Sequence, residues 1–145
     1  MTEKETTDLL NIFENISVEN MDTFIRENGK EMRGANIFLE YMLKNKVTPA
    51  MIVNHCKGHI SKSYIHDLLN GKKCNPSRDI VLILCLAANM NKKEVRRVLE
   101  NYNHRDLYIK DKRDIIIATY INNEIFDIDK INDELEAYSL ALLNE

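Results

Sequence analysis

Glycine and proline are scarce in this chain: its 145 residues include four of the first and two of the second. Strand-rich folds turn often and need such residues at their corners, so a sheet architecture is disfavoured. No apolar run approaches the roughly 18 residues that a membrane-spanning helix requires, and no membrane partner is expected. The opening MTEKETTDLLNIFE is polar and acidic, unlike a secretory leader. Three cysteines, Cys56, Cys74 and Cys85, show no repeated pair spacing. An odd count without a leader suggests reduced thiols, so a cytoplasmic location is expected.

Motifs of catalysis are missing too. There is no glycine-rich phosphate loop, no GxSxG and no HExxH. The acidic pairs Asp127 with Asp129, and Asp133 with Glu134, fit a helix start and a polar face, because carboxylates favour the amino end of a helix. An enzyme is not expected, and no cofactor is implied. His55, Cys56, His59, His66 and Cys74 cluster in sequence, but their spacing follows no zinc pattern, and neighbouring His55 and Cys56 would point apart on a helix. No metal site is expected.

What is present favours a folded, helical protein. Hydrophobic residues make up 44% and charged residues 30%, enough to bury a core and stay soluble. The length suits one domain with a small appendage. The net charge of -3 hides an asymmetry. Residues 1–29 carry two basic and seven acidic side chains, and 79–145 carry nine and thirteen. Between them, 30–78 carry nine basic against three acidic. Such clustering suits a polyanion, since each neutralised phosphate releases condensed counterions.

Helical periodicity runs through nearly the whole chain. An acidic N-terminal arm (1–30) shows two helical stretches, with Leu9, Ile12, Phe13 and Ile16 in one and Val18, Met21, Phe24 and Ile25 in the next. Ser17 is placed to cap the second and Gly29 to end it. Ile37, Phe38, Tyr41 and Met42 then mark the inner face of a third helix. Thr48-Pro49 is a strong helix start, followed by Ile52, Val53 and Cys56. Lys57-Gly58-His59 forms a corner. Ser61 caps a helix with Tyr64, Ile65, Leu68 and Leu69 inward, closed by Asn70-Gly71. After Pro76-Ser77, DIVLILCLAANM is apolar nearly all round and predicts a central buried helix. Asp114 to Ile121 is ambiguous between helix and strand.

The last third repeats the segment before it. Arg78-Asp79-Ile80 matches Arg113-Asp114-Ile115. With one residue inserted, Val95, Leu99, Glu100, Tyr102 and Leu107 fall on Ile131, Leu135, Glu136, Tyr138 and Leu143. A helical hairpin repeated at a period of roughly 35 residues is expected, the second copy docking on the first. The chain thus divides into the arm (1–30), a helix-turn-helix domain (31–107) and a C-terminal hairpin (108–145) that repeats 78–107.

Residues 48–77 with their flanking helices resemble the lambda-repressor-like helix-turn-helix of Cro and xenobiotic-response-element regulators. The resemblance rests on Ser61, Ile65, Leu68 and Gly71, on Pro76-Ser77 opening the next helix, and upstream on Thr48 and Ile52. It spans Ala35 to Tyr102, roughly half the chain. It implies an all-α, repressor-like bundle whose reading helix, about 61–70, enters the major groove of double-stranded DNA. Ser61, Lys62, Ser63 and His66 would face the duplex, and Lys57, Lys72 and Lys73 would flank it along the phosphates. A transcriptional regulator acting as a homodimer is the expected function. Three features depart from the family pattern. Pro49 stands where a glutamine usually reaches a phosphate, Val53 replaces a small alanine, and the corner from Val53 to Ser61 is about two residues longer than usual. They motivate the alternative: an adaptor on a repressor-like fold that binds a regulatory protein partner and not DNA.

Overall fold

The chain, as a computed structural model, is described over residues 14–23 and 34–144. Every regular element among these is helical, and none is a strand. Two compact units are present, Met1–Met32 and Arg33–Glu145. In the first, Ser17 opens a turn, its carbonyl and hydroxyl oxygens both accepting from Asn20 N, and Val18 and Met21 are exposed. Most of the expected arm, including Leu9, Ile12, Phe13, Phe24, Ile25 and Gly29, lies outside the described residues.

Seven helices are described in the second unit: α1 (Gly34–Lys44), α2 (Pro49–His55), α3 (Lys62–Leu69), α4 (Arg78–Ala87), α5 (Lys92–Asn101), α6 (Lys112–Asn122) and α7 (Ile128–Ala137). From α2 onward, each begins with a side chain that satisfies an otherwise orphaned amide. Thr48, Ser61, Ser77, Asn91, Asp111 and Asp127 are the caps. Asn91 and Glu94 complete a reciprocal capping box at α5.

Helix ends explain how the chain manages with so little glycine. Lys46, Asn89, Asn103, Glu124 and Ser139 each take a positive φ just past α1, α4, α5, α6 and α7. In each case the next amide returns to a carbonyl five residues back, as Met90 N does to Cys85 O and Ile125 N to Tyr120 O. A non-glycine residue in this conformation costs roughly 1–2 kcal/mol. Burial of the flanking apolar residues offsets it. Helix α3 alone ends on glycine, Gly71, with φ of 87°.

The core is organised around α4. Val81 to Ala87 are buried without interruption, so every side of the helix is covered. Each fully buried aliphatic side chain contributes about 1.5–3 kcal/mol. Helices α2 and α5 pack on α4, α1 packs on α3 and α5, and α6 joins α5 to α7. Phe38 and Met42 of α1, Ile52 of α2, and Ile65 and Leu68 of α3 complete this half of the core. The Tyr41 hydroxyl donates to Ala88 O at 3.0 Å and ties α1 to the end of α4.

The ambiguous segment is helix α6, with Ile117 and Ile121 buried one turn apart. Its hairpin with α7 shares several buried positions with α4–α5. Val95 and Ile131, Leu99 and Leu135, and Leu107 and Leu143 are all buried. The two hairpins also exchange charge reciprocally. Arg78 donates through both terminal nitrogens to the Asp114 carboxylate, each at 3.0 Å, and Arg113 donates likewise to Asp79, each at 2.8 Å. Tyr108 N donates to Asp114, and its counterpart Asn144 N donates to Asp79. Each arginine also holds two carbonyls of its own repeat: Arg105 and Asp106 for Arg78, Ala141 and Leu142 for Arg113. The arrangement has the self-complementary form of a two-fold interface, here within one chain.

Candidate nucleic-acid interface

Helices α2 and α3 meet at a corner whose sequence dictates its shape. Cys56 ends α2, its amide donating to Ile52 O, and its carbonyl then accepts from both His59 N and Ile60 N. Gly58 between them takes a φ of 84°, a conformation that other residues resist. Cys56 and Ile60 both enter the core, so the corner is a packed element with two apolar anchors. Ser61 then starts α3, its hydroxyl oxygen accepting from Tyr64 N at 3.2 Å. Upstream, the Thr48 hydroxyl accepts from Met51 N at 3.2 Å, and Pro49 sits where no amide is needed.

This framework divides α3 cleanly. Ile65 and Leu68 are buried and Tyr64 is half-buried, while Lys62, Ser63 and His66 share the exposed side. Ser61 is exposed, but capping occupies one of its acceptor positions, leaving the O–H free to donate outward. Lys57 projects from the corner, and Lys72 and Lys73 follow the carboxyl end of α3; all three are exposed. Among the described residues, none of Lys57, Lys62, Lys72 and Lys73 forms an ion pair. Four of the five arginines of the C-terminal half differ: Arg78, Arg96, Arg105 and Arg113 meet carboxylates, and among the described residues Arg97 does not. Four exposed lysines that make no ion pair therefore flank the exposed face of α3.

Two of the three departures from the family pattern have local explanations. Pro49 serves as the first residue of α2, and Val53 is half-buried against the core. The long corner has a partner that sequence reasoning missed. His59 is held at both ends by the C-terminal hairpin. Its Nε2 lies 3.0 Å from Asp129 Oδ1 at the start of α7, and its carbonyl accepts from Asn144 Nδ2 at 2.7 Å. A carboxylate only accepts, so Nε2 carries the shared proton. The His59 side chain is 16% exposed and Asp129 is 83% exposed, so an acidic group stands at the surface beside the basic corner. No local pattern around His59 signals this contact, since its partners lie 70 and 85 residues away.

The cysteines and histidines do not converge. Among the described residues, no three His, Cys, Asp or Glu side chains gather so as to hold a metal ion. Burial pushes the Cys56 thiol up to about 11. It raises Cys85 further, with a smaller contribution from Glu94. Cys74 is exposed, its sulfur 3.2 Å from Gly71 O. Asp127 caps α7 by accepting from Asp129 N and Lys130 N. No helix among the described residues is long and apolar enough to cross a membrane. No family model, curated protein or solved structure matches the chain.

Proposed function

We propose that the chain is a sequence-specific, double-stranded DNA-binding transcriptional regulator on a lambda-repressor-like helix-turn-helix bundle, with α3 as reading helix. One observation carries this reading: the unpaired, exposed lysines that surround the polar face of α3. Eight residues of helix extend about 12 Å, which suits the width of the major groove. Lys62 would donate to guanine O6 and N7, with Ser61, Ser63 and His66 on neighbouring bases or phosphates. Lys57, Lys72 and Lys73 would meet phosphates on either side and fix the register. So short a helix reads few base pairs, so two copies would bind a two-fold site as a homodimer. A mobility-shift assay on random-sequence duplexes tests the proposal. Binding should appear at low salt and vanish in Lys62→Glu; no binding even at low salt ends this reading.

A second reading draws on Asp129. Its carboxylate stands beside His59, two residues before Ser61, where it would repel a nearby phosphate. In this reading the bundle is an adaptor, and a regulatory protein occupies the surface. Affinity capture from the host should then recover one protein in stoichiometric amount, whereas recovery of nucleic acid alone would count against it.

A further inference from the structure

The long corner between α2 and α3 is gripped by the second hairpin through two hydrogen bonds. Asp129 takes the His59 ring and Asn144 takes its carbonyl. Asn144 also donates its amide to Asp79, which Arg113 holds through two bonds, so the grip is continuous with the ion pairs that join the hairpins. His59 is followed by buried Ile60 and then by Ser61, the cap of α3. Any shift of the corner must therefore move the start of α3. The extra length of this corner supplies the residue that the hairpin grasps.

We infer that the α6–α7 hairpin is a clamp that sets the orientation of α3 through His59, and that its release loosens the reading helix. Asp129 and Asn144 are positioning residues, acting on α3 through His59. Both are exposed, so their replacement leaves the core intact. The clamp gives the second repeat a role, because an event on the C-terminal hairpin changes presentation of α3 without contact at α3 itself. The effect on DNA rests on the function proposed above; the mechanical link does not.

Hydrogen exchange on the full chain separates the two. In Asp129→Ala and Asn144→Ala, amides from Lys57 to Ile65 should exchange about 5-fold faster, the effect of losing one hydrogen bond. Amides of the α4–α5 hairpin should keep their protection. Asp129→Asn, which matches the charge of the alanine variant but keeps an acceptor for His59, should restore slow exchange at the corner. Unchanged exchange from 57 to 65 in both alanine variants would overturn the clamp. If the unaltered chain binds duplex, affinity should differ between Asp129→Ala and Asp129→Asn, since both lack the charge and only one keeps the bond. Equal affinities would overturn the link to reading. Absence of duplex binding would refute the proposed function and leave the exchange result to decide the clamp.

Discussion

Replacing Asp114 by alanine should be among the most damaging single changes outside the apolar core. The Asp114 side chain is 1% exposed and accepts from both terminal nitrogens of Arg78 and from Tyr108 N. Its removal leaves the Arg78 guanidinium, 18% exposed, with two carbonyl partners and no hydrogen-bonded carboxylate. Breaking a buried pair from one side costs about 3–5 kcal/mol, because the remaining charge stays desolvated. A domain of this size has roughly 5–15 kcal/mol in total, so about a fifth or more would be lost. The equivalent Asp79→Ala acts on a pair that is 26% and 20% exposed. Solvent reaches the vacated site there, and the loss should be about 1–2 kcal/mol. Combining Arg78→Met with Asp114→Leu removes both charges and should cost less than the two single losses together, by roughly 2 kcal/mol. Equilibrium urea unfolding followed by circular dichroism measures all of these. An Asp114→Ala loss no larger than that of Asp79→Ala, or strict additivity in the double variant, would refute the reasoning.

Three further outcomes are expected. Burial alone would raise the Asp79 carboxyl, but hydrogen bonds from Arg113 and Asn144, with the field of Arg113 and Arg78, bring it below its ordinary 3.8. Its stabilising contribution is full above that value and is lost as pH falls through the lower, folded one. Asp79→Asn should thus show a shallower decline of the urea midpoint below pH 3.8, and an identical slope would count against the pair. Native chain should titrate one thiol, Cys74, with a neutral-pH disulfide reagent and three after denaturation, as Cys56 and Cys85 are buried and held protonated. Gly58→Ala should destabilise by about 1–2 kcal/mol, from backbone strain alone, because no atom lies within 4 Å of the added methyl.

Which parts were legible from sequence follows from the range of the interaction behind each. Caps are local: Thr48, Ser61, Ser77 and Asp127 announce helices because their oxygens bond amides two or three residues on. Helix α4 was equally plain, since an all-apolar surface has nowhere to go but inside. Asp114 to Ile121 stayed ambiguous because its isoleucines suit either structure, and the cap at Asp111 with burial of Ile117 and Ile121 settles it as helix. The repeated Arg-Asp was visible as a pattern but not as a contact. That each arginine takes the aspartate of the other copy depends on how the hairpins face each other. The exposed set on α3 followed from the positions of Ile65 and Leu68, which turn Lys62, Ser63 and His66 outward. In sequence His59 belongs to a corner, and its grip by Asp129 and Asn144 is a tertiary fact that no short-range rule contains.

A basic helical corner is attached to a second hairpin through one histidine, beside two reciprocal ion pairs. The lysines around α3 carry the proposed binding of duplex DNA. Selection of bound duplexes from a random pool, followed by a salt titration on the enriched sequence, tests it most directly. A short two-fold motif should be enriched. The slope of log affinity against log salt should lie near roughly −2.7 per subunit, from three phosphate-contacting lysines. Lys72→Ala should make that slope shallower by about 1 per subunit. A pool that stays random through every round, with no salt-dependent retention, would contradict the claim.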